Sequence, residues 1–333
     1  MARGILERLA EGPVLGDGGY LLELEKRGYV QAGPFTPEVV IEHPDALAQL
    51  HREFLRAGAE VLQTMTFYAS DDKLATVGLE GTVDEINRSA VRIAREVAAE
   101  GDALVAGNLS LTWAYDPADA GSADHVRGLF DRQLQDQVDA GPPDFWIGET
   151  FSYLGEALLF VERAKATGLP TMITMSFETL PARVYEGDAP GEAAKKLADA
   201  GADVVGVNCL NGPSQQLPIA REMVAALGGA VPVASQPVAY ATTEAAPDFT
   251  STPGFPYSLT PMTLARGDLA AFAAAARDAG VRYIGSCCGS VAEHVRAMAK
   301  VLGKLPERER AWRSASGKAM SAYEYYAHTE TEV

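Results

Sequence analysis

The sequence predicts a closed (β/α)8 barrel of the TIM type with a short C-terminal appendage, and three observations carry that reading. Eight short apolar runs alternate with eight helical stretches along the chain. Several helical stretches stop at a glycine, with the next apolar run starting a few residues later. Eight such units spread over about 290 residues suit a closed barrel better than an open, doubly wound sheet.

The elements follow in order. A first strand at 14–15 runs into Gly16-Asp17-Gly18-Gly19. Further strands are expected at 61–67, 103–107, 144–148, 171–175, 204–207, 232–234 and 283–285. Helices are expected between and after them, at 44–57, 83–100, 123–140, 154–167, 191–200, 215–227, 264–279 and 291–302. The pairs Ala140-Gly141, Thr167-Gly168, Ala200-Gly201 and Ala279-Gly280 mark helix ends, because glycine enters the left-handed conformation that stops a helix. No linker rich in Pro, Gly and Ser divides the chain, so 1–303 is expected to form one barrel domain. Residues 304–333 break the rhythm. They are charged and aromatic, end in an acidic run, and are expected to form a tail and an oligomerisation segment.

Bulk properties narrow the function. The chain has 333 residues, 47% of them hydrophobic, which is ample for a core. Its 45 Asp+Glu against 28 Lys+Arg give a net charge of −17, which repels nucleic acid and anionic membranes, so neither is an expected partner. No apolar run reaches the roughly 18 residues of a membrane span. The N-terminus carries Arg3, Glu7, Arg8 and Glu11 among its apolar residues, unlike a signal peptide. Three cysteines, two of them adjacent, suit a reduced cytoplasmic protein that uses its thiols for something other than disulfides.

In such a barrel, reactive residues collect where strands end. All three cysteines fall at expected strand ends: Cys209 after the sixth strand, Cys287 and Cys288 after the eighth. Three converging thiolates suit a soft divalent metal, above all Zn2+, and leave a fourth position open. Gly285 and Gly289 flank the cysteine pair and permit a tight turn. Taken singly, each cysteine reads more readily as a small buried residue; the three together at one rim favour the metal. Zinc bound by three thiolates activates water poorly but suits binding a substrate thiol and keeping it nucleophilic, which points to alkyl transfer onto sulfur.

Asp17 and Glu149 are acidic strand ends suited to a substrate ammonium, and the Gly18 and Gly19 amides suit a carboxylate. The bland alternatives are a tight turn at 16–19 and a solvated carboxylate at Glu149. Asn208, beside Cys209, is a further candidate substrate contact. Phe35, Phe67 and Tyr68 offer aromatic faces that attract a quaternary cation, or else pack in the core.

These residues resemble a known family. The stretches Gly206-Val207-Asn208-Cys209 and Gly285-Ser286-Cys287-Cys288-Gly289 are similar to the paired zinc motifs of the homocysteine S-methyltransferases. GDGGYLLELEKRGYVQAGPFTPE, HREFLRAG, QTMTFYASDDKL, GDALVAG and GVRYIGSCCG resemble its betaine–homocysteine branch, and the resemblance runs from about residue 4 to residue 302. It implies that Cys209, Cys287 and Cys288 bind zinc and that Asp17, Gly18 and Glu149 hold homocysteine. It also implies that Tyr68 orients the methyl donor. With Glu149, Tyr68 is then the expected catalytic group. Three departures stand out: Phe35 replaces a familiar tryptophan, Thr150 replaces a familiar tyrosine, and the C-terminal arm is short.

The implied reaction moves a methyl group from a betaine-type donor to the homocysteine thiol, giving methionine and, from glycine betaine, dimethylglycine. A homo-oligomer is expected. A sulfonium donor such as S-methylmethionine or dimethylsulfoniopropionate fits the same aromatic walls. A non-catalytic zinc or thiol-binding barrel is the rival from another class. A metal-assisted aldolase or hydrolase is disfavoured, because none of His43, His51, His125, His294 and His328 ends an expected strand.

Overall fold

The structure is a computed structural model that describes residues 3–31 and 33–305. Of the expected tail at 304–333, all but Lys304 and Leu305 lies outside the described residues. Eight parallel strands form one sheet: β1 (Val14–Leu15), β2 (Val61–Gln63), β3 (Leu104–Ser110), β4 (Phe145–Phe151), β5 (Thr171–Met175), β6 (Val204–Asn208), β7 (Val233–Gln236) and β8 (Tyr283–Ile284). Their order runs β1-β8-β7-β6-β5-β4-β3-β2, which leaves β1 and β2 at the two ends of the sheet. Glu60 closes the seam between them. Its N–H donates to the Leu15 carbonyl at 2.8 Å, and its carboxylate accepts the Leu15 N–H at 2.9 Å. The fold is the expected (β/α)8 barrel.

Among the described residues, twelve α-helices accompany the strands: α1 (Ile5–Glu11), α2 (Leu21–Lys26), α3 (Val39–Glu42), α4 (Pro44–Ala57), α5 (Asp71–Ala75), α6 (Val83–Ala98), α7 (Ala120–Asp139), α8 (Leu154–Ala166), α9 (Pro190–Asp199), α10 (Pro213–Leu227), α11 (Arg266–Asp278) and α12 (Ala292–Val301). The eight expected helices are all present. On α4, Leu47, Leu50, Phe54 and Ala57 are buried at helical spacing, and each large side chain so placed contributes about 2 kcal/mol. The glycines expected to stop helices do so: Gly141, Gly168, Gly201 and Gly280 all have φ between 81° and 116°. The helices α1, α2, α3 and α5 are additional. They are four to seven residues long, too short for an amphipathic period to register.

Every strand sends at least one side chain into the barrel interior, among them Val14, Val61, Leu104, Phe145, Met172, Val204, Ala234 and Tyr283. Ile5 and Leu9 of α1 join that cluster. The interior is thus a packed core, which leaves the strand ends and the βα loops for chemistry. Two strand boundaries differ from expectation. β2 stops at Gln63, because Thr66 turns back: its N–H bonds the Thr64 carbonyl at 2.9 Å and its hydroxyl bonds the Asn108 carbonyl at 2.7 Å. Phe67 and Tyr68 therefore sit on a loop. β4 instead continues to Phe151 across a register shift after Gly148, so Glu149 lies within the strand. Among the described residues, no helix is long and apolar enough to cross a membrane.

Candidate active site

β6 and β8 bring the three cysteines together. Cys209 follows Asn208 with φ +55°, a left-handed turn in a residue other than glycine. Its N–H is held by the Gln236 carbonyl at 2.9 Å, and the Cys287 N–H by the Pro237 carbonyl at 2.8 Å. The Sγ atoms of Cys209 and Cys288 lie 3.7 Å apart and those of Cys287 and Cys288 3.9 Å. All three lie within 4.8 Å of one another. A disulfide needs about 2.05 Å, so these are free thiols. Sulfurs bound at ~2.3 Å around a tetrahedral zinc stand about 3.8 Å apart, and the two closest pairs match that edge. Two glycines permit the close packing. A Cβ on Gly19 would stand 2.7 Å from the Cys287 carbonyl oxygen, and one on Gly289, at φ +78°, 2.5 Å from the Tyr240 ring.

The sulfurs share their protons unequally. Thiols donating from Cys287 and Cys288 hold Cys209 well below its ordinary pKa. The reciprocal bonds, with burial, push Cys287 and Cys288 well above theirs. One thiolate is thus favoured. Ionising all three needs a compensating cation, which is the charge balance of a metal site.

Beside the sulfurs, a polar network joins the two predicted acids. Gln63 donates its N–H to Asp17 Oδ2 at 2.8 Å and its side-chain amide to Oδ1 at 3.3 Å. The Tyr20 hydroxyl also donates to Asp17. The Asn108 amide donates to Gln63 Oε1 at 2.9 Å and to Glu149 Oε1 at 2.6 Å. Asn208 donates to Glu149 Oε2 at 3.1 Å, while its oxygen accepts from the Thr150 N–H and the Thr174 hydroxyl, each at 2.8 Å. Burial raises Asp17 to about 6, against the bonds from Tyr20 and Gln63. Burial raises Glu149 to about 8; the Asn108 bond opposes this, and the negative charges of Cys209 and Asp17 add to it.

A cavity of about 70 Å³ opens onto these groups, lined by Gly18, Gly19, Gln63, Asn108, Glu149 and the three cysteines among others. Asp17 stands one layer behind, reached through Gln63 and Tyr20, which do line it. The Gly19 N–H is already bonded to the Ser290 carbonyl at 3.2 Å, whereas Gly18 donates no such bond among the described residues.

The predicted aromatic residues separate into two groups. Phe67 and Tyr68 are in ring contact at 4.3 Å, and Tyr68 meets Trp113 edge-on at 5.8 Å. Phe35 packs with the cluster of Cys209, Tyr240 and Phe249, on which Cys287 and Cys288 also rest. Phe35 and Tyr68 have left-handed φ of +52° and +61°, conformations that concentrate at functional sites.

Comparison with known proteins decides the family. The model of the homocysteine S-methyltransferase family matches residues 14–302. The chain belongs to the homocysteine S-methyltransferase family. It is therefore an enzyme, a methyltransferase. It is 46% identical over 317 residues to betaine–homocysteine S-methyltransferase 1 of Xenopus laevis, covering 92% of this chain and 76% of that protein. It is 42% identical over 332 residues to the S-methylmethionine–homocysteine S-methyltransferase BHMT2 of Pongo abelii, covering 94% and 87%. The fold is similar to that of the metallated homocysteine methyltransferase MmuM of Escherichia coli, with TM-score 0.70, 21% identity, and 88% and 98% coverage.

Within this family member the structure adds residues the sequence did not single out. Gln63 and Asn108 lie inside apolar strands and face the cavity. Tyr20 donates to Asp17 and lies 3.0 Å from His51 Nδ1. Burial lowers His51 to about 3, so it is neutral, and Tyr20 gives its only proton to Asp17. His51 Nδ1 must then carry hydrogen and donate to Tyr20. An acidic group bonded to successive amides is visible only once the barrel brings β1, β2, β3 and β4 side by side.

Proposed function

We propose that the chain transfers a methyl group from a betaine-type donor, glycine betaine, to the thiol of homocysteine, giving methionine and dimethylglycine, with Zn2+ held by Cys209, Cys287 and Cys288. The observation that carries this reading is the convergence of three free thiols, at zinc-ligand spacing, on a cavity that also holds an acid–amide network. When bound, zinc supplies the positive charge that lowers the acceptor thiol's pKa and keeps its sulfur nucleophilic.

The protein's own groups do the rest. Asp17 and Glu149 receive the acceptor's ammonium, whose charge favours both ionised forms. The Gly18 N–H, unspent, receives its carboxylate. Asn208, committed to Glu149 and Thr150, acts by positioning Glu149. Tyr68 and its neighbours hold the donor cation on an aromatic face. The sulfur–carbon bond forms as the carbon–nitrogen bond breaks. The bonding pair leaves with the nitrogen, and the thiol proton is released to solvent. Catalysis is mainly alignment of two held reactants. Cys209, Cys287 and Cys288 as free thiols suit a reducing, cytoplasmic setting. Residues 1–303 serve as the catalytic barrel.

A sulfonium donor is the second reading, favoured by the 42% identity to a relative named for S-methylmethionine. Mass spectrometry of methionine formed by the zinc-loaded protein from homocysteine and single donors tests both. The panel is glycine betaine, dimethylsulfoniopropionate, S-methylmethionine and S-adenosylmethionine, with Cys288→Ala as control. Turnover with betaine, absent in the control, is expected. Turnover with sulfoniums alone would move the donor assignment and leave the acceptor in place. No turnover from folded, zinc-containing protein would overturn the thiol acceptor.

A further inference from the structure

Lys73 is an anomaly among the charged residues of this rim. It lies on α5, directly after the loop that carries Phe67 and Tyr68, and is only 8% exposed. Its ammonium stands 3.5 Å from the Trp113 ring and 4.2 Å from the Tyr68 ring. Its acidic neighbours on the same helix are committed elsewhere: Asp71 to Arg132, and Asp72 to His125 at 2.7 Å. No carboxylate pairs with Lys73 among the described residues, and burial lowers its pKa. Two aromatic faces offset only part of the cost of taking an ammonium out of water. Both enclosing residues are also held in left-handed backbone, Tyr68 at φ +61° and Trp113 at +63°. Trp113 is 69% exposed, so the ring that covers Lys73 is itself open to solvent.

The placement relative to the sulfurs gives this ammonium a use. Phe67 lines the cavity beside the sulfurs, its ring lies 4.3 Å from that of Tyr68, and Tyr68 in turn carries the Lys73 ammonium, so a chain of contacts leads from the cavity wall to Lys73. Among the described residues, the cavity wall contains Glu149 and three cysteines but no lysine or arginine. Such a wall attracts an onium and repels a carboxylate. We propose that Lys73 is the specificity-determining residue of the donor side, its ammonium receiving the carboxylate of a zwitterionic onium donor laid along Tyr68. The onium methyl then faces the sulfurs and the acid end faces Lys73. This rests on the betaine-type donor of the proposed function and adds the group that selects for the donor's acid end. The bland alternative is a cation–π staple that only fixes Tyr68 and Trp113.

The test compares glycine betaine with its uncharged amide, in zinc-loaded wild type, Lys73→Met and Lys73→Arg. Removing a charge-assisted contact should raise KM for betaine about 10–50-fold in Lys73→Met, with kcat within about threefold. The betaine-over-amide preference should collapse by the same factor, and Lys73→Arg should restore most of it. Equal losses with both donors would assign Lys73 to the staple and overturn the proposal, as would an unchanged betaine KM in folded Lys73→Met. Trp113 fluorescence, titrated with betaine on homocysteine-loaded protein, reads binding without turnover, and Lys73→Gln serves if the methionine variant does not fold. Betaine that quenches wild type but not Lys73→Met upholds the proposal even without methionine formation. Wild type that neither binds nor uses any onium acid overturns the donor reading, and Lys73's role with it.

Discussion

The two sides of this cavity are built by different means. On the β6–β8 side, backbone bonds fix the sulfurs: Cys209 to Gln236, Cys287 to Pro237, and Ala239 to the Cys288 carbonyl at 2.9 Å. Gly19 packs its backbone against that turn, where even a methyl group would collide. On the β2–β3 side, side chains do the work. Tyr68, Trp113 and Lys73 hold one another through ring faces on loops, and Trp113 is open to solvent. The first side suits a centre that must not move, the second a surface that can be re-cut. The family relatives agree with that division, since their names share homocysteine and differ in the methyl donor. Loops on a rigid scaffold are where such differences accumulate.

The largest expected effect lies on the rigid side. Cys288→Ala removes one of three thiolates. If each ligand carries about a quarter of the ~10–16 kcal/mol of a structural-type zinc site, metal affinity drops roughly 10²–10³-fold. Metal content by mass spectrometry and methionine formation should fall together. Full zinc occupancy in this variant would break the assignment of the centre.

Glu149→Ala comes next and separates metal from acceptor. It leaves the Asn108 and Asn208 amides without their carboxylate. Lost contact to a charged ammonium should cost about 2–4 kcal/mol in kcat/KM, roughly 30- to 900-fold, with zinc retained. A variant that keeps zinc and full activity would remove Glu149 from the acceptor site.

The pH dependence is the third effect. Asp17 titrates near 6 and Glu149 near 8 in the ligand-free protein, both raised by burial. Raised values mean that protonated forms persist to higher pH, and an ammonium needs the charged forms. Methionine, which carries no thiol proton, should therefore bind more weakly as pH falls through about 8 and again through about 6, by calorimetry. The sign for stability runs the other way. An acid whose folded pKa is raised stabilises fully below its unfolded value of about 4 and loses that contribution as pH climbs through the folded value. Bound methionine should thus raise Tm more at pH 8 than at pH 5. Asp17→Asn should flatten the limb near 6 and, by removing a neighbouring negative charge, move the limb near 8 to lower pH.

Much of this architecture is legible from sequence, for identifiable reasons. Strand rhythm and helix-stopping glycines are local signals, and Gly141, Gly168, Gly201 and Gly280 all act as read. The cysteines and Asp17 are legible because chemistry sits at strand ends, and Glu149 because it follows the apolar run that opens β4. Gln63 and Asn108 are not, because a lone amide in an apolar run has no local signature, and its partner is 45 residues away in sequence. Lys73 escapes for a similar reason: in Asp71-Asp72-Lys73 it reads as a solvated charge until the loop folds it under Trp113. The extra residue in β4 that places Glu149 inside the strand depends on a left-handed Thr150, at φ +67°, and threonine gives no hint of it.

Phe35 is the smallest and most discriminating case, because it joins the rigid side while being expected on the adaptable one. It packs with Tyr240, Phe249 and Cys209, and no ring contact among the described residues links it to Tyr68. If it nonetheless faces the donor, Phe35→Trp offers a stronger cation–π face. A gain of about 0.5–1 kcal/mol lowers KM for betaine roughly two- to fivefold, with kcat unchanged. If it only packs, the larger ring strains a position already at φ +52°, so Tm falls and the donor KM stays put. The two outcomes differ in sign and in observable. Either one fixes how far the aromatic wall extends past Tyr68, and so whether the donor touches one side of the cavity or both.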